Sequence, residues 1–204
     1  MEADLKTQAS IAVGMLRGVA LANSSFDYIA EALRTVHAAD IIMTSQPEEQ
    51  PDTADEQLAS IQSIAFACRE VAELELSVEA AVKIINRWIE ANQSGIEPNQ
   101  TGLQGLPVAA WRVREVELVG TVVRARQRLE LAAASCYRSC VVLDVARLGW
   151  STFPLPVRNA WMRYGRQALI STSEYLNDSR DNLTKMCAAA VEARDAAKVL
   201  IDLL

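Results

Sequence analysis

The stretch IQSIAFACREVAELELSVEAAVKIINRWI, residues 61–89, contains neither glycine nor proline. Its apolar residues Ile61, Ile64, Cys68, Val71, Val78, Val82, Ile85 and Ile89 recur at alternating spacings of three and four. That period places them on one side of an α-helix and is too long for the two-residue alternation of a strand. A stripe sustained over so many turns suits a helix packed nearly parallel or antiparallel to others.

The same reading extends to three further segments. Trp111, Leu118, Val122, Leu129, Cys136, Cys140 and Leu143 form one stripe, and Leu169, Leu176, Leu183, Met186, Ala190, Ala197, Leu200 and Leu204 form another. Near the amino end, Leu5, Ala9, Ala12, Leu16, Val19, Phe26, Ala30 and Leu33 make a third. Between the segments lie three breaks: TSQPEEQPDTADE (44–56), SGIEPNQTGLQGLP (94–107) and GWSTFPLP (149–156). Thr53 followed by Glu56 reads as a capping box opening a helix. The polar run NSS, 23–25, is a candidate interruption of the first segment. Short connections favour antiparallel neighbours. The expected fold is therefore all-α, an antiparallel up-down-up-down bundle of two helical hairpins forming a single domain over 1–204. Its four long helices are expected at about 3–43, 54–93, 108–148 and 157–203.

Composition agrees. Half the residues are apolar, only 5% are aromatic, and glycine and proline are few, at 8 and 6. That mixture favours helices. The net charge of −6 argues against a general polyanion binder and so against nucleic acid. Residues 1–100 carry 6 basic and 16 acidic side chains, a net of −10, whereas residues 101–204 carry 14 and 10, a net of +4. The two halves should attract, within a chain or between chains. The start MEADLKTQAS lacks the basic and apolar runs of a signal peptide, and no uncharged stretch reaches membrane-spanning length. The expectation is a cytoplasmic protein without membrane contact. Abundant alanine and arginine in excess of lysine point to a GC-rich bacterial genome.

The run RARQR, 124–128, would be a basic patch if its arginines shared a face. At about 100° per residue, Arg124 and Arg128 project from the polar side and Arg126 points into the apolar arc. Folding the helices back about their loops levels Arg126 with Glu75, Asn23 and Ser179. Two readings stand: polar residues at exposed or interface positions, or a mid-bundle polar layer with an Arg126–Glu75 pair that sets register.

Little in the sequence points to catalysis. There is no phosphate loop, no Ser-His-Asp set and no paired Glu-x-x-His motif. The four cysteines, Cys68, Cys136, Cys140 and Cys187, are spread too widely for a disulfide framework and read as reduced thiols. His37, the only histidine, levels with Cys140, so a metal, redox or small-molecule site built on His37, Cys68, Cys136 and Cys140 is the competing functional class. The bundle with its single histidine in RTVHAADIIM resembles histidine phosphotransfer domains in architecture, though it lacks the Lys and Gly that follow the phosphorylated histidine in that family.

What remains is a non-catalytic, cofactor-free protein that binds another protein: a regulator or antiactivator, an immunity protein, or a secretion-associated chaperone or adaptor. The candidate partner site is GWSTFPLPVRNAWMRYGR, 149–166. Trp150, Phe153, Trp161 and Tyr164 interleave there with Arg158, Arg163 and Arg166, the residue types enriched at binding hot spots. The competing reading is that the aromatics plug the bundle end. The acidic first loop, with Glu48, Glu49, Asp52, Asp55 and Glu56, is expected at the same end, where it would repel phosphate. A second apolar stripe through Ile11, Met15, Ile29, Val36 and Met43 is expected to be a homodimer seam.

Overall fold

A computed structural model describes residues 2–45, 52–93 and 101–203. Helices α1 (Glu2–Val19), α2 (Asn23–Ser45), α3 (Ala54–Gln93), α4 (Thr101–Leu148) and α5 (Leu155–Leu203) account for nearly all of them. The chain is an all-α antiparallel bundle, and its helices contribute to two compact units. The first comprises residues 1–22, 71–124 and 182–204, and the second 23–70 and 125–181.

In the first unit, Asn86 of α3 accepts a hydrogen bond from the Trp111 indole and donates to Glu115 of α4, both at 2.9 Å. Arg114 meets Glu192 at 2.6 Å and Arg124 meets Asn182 at 3.4 Å, so position rises on α4 as it falls on α5. Ala9, Trp88 and Ile201 close an apolar cluster with Leu5 and Val13 packed against it.

In the second unit, Ser135 and Ser139 of α4 donate to the carbonyls of Ala168 and Gly165 on α5, at 2.9 and 3.2 Å, and Ser179 donates to the Ala125 carbonyl at 3.0 Å. These side chain to backbone bonds require the helices to approach closely. A methyl group at Gly165 would lie only 2.7 Å from Leu143 Cδ2. On the other hairpin, Ser60 of α3 donates to Thr35 of α2 at 2.7 Å. These buried hydroxyls are thus satisfied by neighbouring helices or their own preceding turn, whereas the buried Ser25 Oγ has no hydrogen-bond partner among the described residues.

Along α4 and α5 the core follows a heptad. On α4 the buried positions include Leu118, Val122, Ala125, Leu129, Ala132, Cys136, Ser139, Leu143 and Ala146. Large residues alternate with alanine or serine, which lets α4 and its neighbours interlock. On α5 the same three-and-four spacing runs Leu169, Thr172, Leu176, Ser179, Leu183, Met186, Ala190 and Ala193.

Three expectations are corrected. The first segment is two helices: Leu21 N–H bonds the Gly18 carbonyl three residues back at 3.0 Å, and α2 begins at Asn23. That tighter turn shortens the repeat by one residue. The core stripe after it is Ser25, Ile29, Ala32, Val36, Ala39 and Met43, while Phe26, Ala30 and Leu33 fall outside the buried set. Ile29, Val36 and Met43 are therefore core residues, not part of an apolar seam; of that expected set Ile11 is exposed and Met15 half-buried. Lastly, α4 starts at Thr101 with Pro107 inside it, although the glycines and prolines of 94–107 read as a break through Pro107. Proline there costs one backbone hydrogen bond early in a helix of 48 residues, and the rest of the helix is unaffected.

The other breaks fall where expected. Ala54 opens α3, with the Thr53 carbonyl accepting the Gln57 N–H at 3.0 Å and Asp55 and Glu56 in the first turn, where carboxylates oppose the positive end of the helix dipole. Among the described residues, no helix is long and apolar enough to cross a membrane.

Candidate functional site

The segment 149–166 begins with a tight turn. α4 ends at Leu148, and Thr152 and Phe153 N–H groups both bond the Gly149 carbonyl, at 3.0 and 2.7 Å. The Phe153 ring lies directly over Gly149, where an added Cβ would come within 2.2 Å of it. Glycine is needed there for space, since its φ is not positive. Trp150 is half-buried and the Arg158 guanidinium covers its ring, 5.2 Å from the centroid. Trp150, Phe153 and Arg158 thus form one self-contained turn. Gly149→Ala should expel the Phe153 ring, and the check is an aromatic NMR spectrum in which the Phe153 ring signals move to solvent-exposed values. An unchanged Phe153 environment would contradict the packing.

Beyond that turn, α5 carries the remaining residues on two different faces. Arg163 and Arg166 line a groove of about 710 Å³ with Met43, Leu155 and Met162. Arg166 Nε donates to Asp40 Oδ1 at 2.8 Å, so that cation is already engaged. Trp161 and Tyr164 instead border a second groove, about 300 Å³, between α4 and α5. The seven residues of the expected patch therefore do not form one surface.

The α4–α5 groove also draws in residues that the sequence reading passed over: Leu131, Arg138 and Val142 from α4, and Tyr175 from α5. Their spacing of about one or two turns on each helix is a signal present in the sequence. The floor is made of small residues, Ala134, Ser135, Ala168 and Ser171. Tyr164 stands 68% exposed. Arg128 lies 5.9 Å over the Tyr175 ring and 3.4 Å from Asp178. Arg138 makes no ion pair among the described residues.

The residues expected to share a polar layer are placed differently from one another. Ser179 is buried, Glu75 half-buried, and Asn23 and Arg126 exposed. Arg126 sits one position after the core residue Ala125 and pairs along its own helix with Glu130 at 3.0 Å. No buried ionic layer includes Arg126, because a step of one residue turns it about 100° away from the core. In the acidic first loop, Asp52 and Asp55 are exposed and Glu56 half-buried, while Glu48 and Glu49 lie outside the described residues.

The alternative site of His37 and the cysteines is not assembled as a metal centre. His37 is exposed, bordering a small groove with Asp40 and Glu174. Among the described residues no group of three or more His, Cys, Asp or Glu side chains could hold a metal ion. Cys136 and Cys140 are hydrogen-bonded one helical turn apart. The Cys136 thiol donates, which pushes its own titration far above the usual thiol range and draws that of Cys140 below it. Burial raises Cys68 and Cys187. No protein-family model matches the chain, and no curated protein matches it.

Proposed function

We propose that this chain is a non-catalytic protein-interaction module of the regulator, immunity or chaperone type, with its binding face in the α4–α5 groove. The observation that carries this reading is an open groove bordered by Trp161, Tyr164 and Tyr175, with an arginine, Arg138, that has no ion-pair partner among the described residues. Aromatic rings and arginine give large contact area at low cost in lost side-chain freedom. An exposed tyrosine contributes little to folding, so its position beside a groove is better explained by a ligand than by the core.

The test is affinity capture from the native host followed by mass spectrometry, comparing wild type with Ala134→Trp and Tyr164→Asp. Ala134 and Tyr164 are exposed, so both variants should keep wild-type helicity and melting temperature. The expected result is a specific partner whose recovery falls at least about tenfold in each variant, a change of roughly 1.4 kcal/mol in binding. Equal recovery in both would remove the groove from the interaction.

A further inference from the structure

We infer that the α4–α5 groove takes an acidic amphipathic helix of about four turns, contributed by the partner protein; this rests on the interaction reading above. The form of the occupant follows from the walls. Both sides of the groove are helices, whose backbone groups are already bonded internally, so there is no strand edge for an extended peptide to join. The floor residues Ala134, Ser135, Ala168 and Ser171 are small, which permits a third helix axis to approach to about 8–10 Å. Ser135 already donates to the Ala168 carbonyl, so the floor asks little of the occupant in hydrogen bonds and suits small or aliphatic side chains.

The length follows from the ends. Trp161 and Tyr175, at opposite ends of the groove, lie about 21 Å apart along α5 at 1.5 Å per residue, the length of a four-turn helix.

The charge follows from the arginines. Residues 125–181, which supply the whole groove, carry 8 arginines against 5 carboxylates, a net of +3. Residues 23–70 of the same unit carry 2 arginines against 9 carboxylates, a net of −7. Arg138 lies midway along the groove without an ion-pair partner among the described residues, positioned for an aspartate or glutamate flanking the partner's apolar face. A nucleic acid fits less well. Arg138 is the one cation among the described residues that line the groove, so the groove lacks the row of cations that a phosphate backbone needs.

The experiment uses the full chain and two synthetic helices of about 18 residues sharing one alanine–leucine face, flanked by glutamate in one and lysine in the other. A single-stranded oligonucleotide serves as the third probe. Affinity is read by fluorescence anisotropy of labelled probes, and location by the indole NMR signal of Trp161. The glutamate helix is expected to bind at least about tenfold more tightly than the lysine helix and to shift the Trp161 signal. Ala134→Trp should abolish that binding, and Arg138→Glu should weaken it about tenfold while improving the lysine helix. Absence of glutamate-helix binding, equal affinity for both helices, tighter binding of the oligonucleotide, or indifference to Ala134→Trp would each overturn the proposal. The two readings fail separately. A natural partner lost in Ala134→Trp but not displaced by the glutamate helix leaves the groove as an interaction site and removes the acidic helix as its occupant.

Discussion

Trp111→Ala is expected to lower the stability of the protein by about 3–5 kcal/mol, read as a fall in the urea midpoint followed by circular dichroism. The side chain is fully buried, so its removal deletes as much apolar volume as any single truncation in this core. It also breaks a polar chain. The indole N–H donates to Asn86 Oδ1 at 2.9 Å, Asn86 Nδ2 donates to Glu115 Oε1 at 2.9 Å, and Arg112 holds the other Glu115 oxygen at 2.9 Å. Alanine leaves both a cavity and an acceptor on Asn86 without its donor. Trp111→Phe separates the two effects. It restores most of the volume but not the hydrogen bond, so its loss should lie nearer 1–3 kcal/mol. Adding Asn86→Leu to Trp111→Phe should recover part of that loss. A loss of less than about 1 kcal/mol for Trp111→Ala would mean that the indole is not sealed in the core.

The stripe at 61–89 made the helical bundle legible, and the antiparallel order followed from the breaks. What escaped was the alanine half of the heptad. Ala67, Ala81, Ala125, Ala132 and Ala146 are fully or almost fully buried, yet alanine is equally at home on an exposed helical face, so sequence alone does not mark it as core. Ala125 in the core is what turns Arg126 outward. The groove escaped for a related reason. Its floor is small residues and its walls come from two helices, so no contiguous stretch announces it. Trp161 and Tyr164 were visible in the sequence; Leu131, Arg138, Val142 and Tyr175 become neighbours of theirs only once the α4–α5 register is fixed by the serine to carbonyl bonds.

Ile29 and Ile11 were read from the sequence as one apolar seam, and substituting each with aspartate should give opposite results. Ile29 is fully buried, whereas Ile11 is 57% exposed. The cause is the turn at 20–22. One residue dropped from the repeat rotates every later position by about 100°, which brings Ile29, Val36 and Met43 inward and turns Ala30 out. Ile29→Asp places an unpaired carboxylate in an apolar interior and should unfold the protein at neutral pH, while Ile29→Ala should cost about 2–5 kcal/mol. Ile11→Asp should stay within about 0.5 kcal/mol of wild type. A seam would behave in the reverse manner: Ile29→Asp would remain folded and lose only self-association, seen as a lower sedimentation coefficient at high concentration. The alanine variant makes the distinction quantitative. A core residue loses the same stability at every protein concentration, whereas a residue at a dimer interface loses stability that depends on concentration, because association adds to folding only when the partner is present.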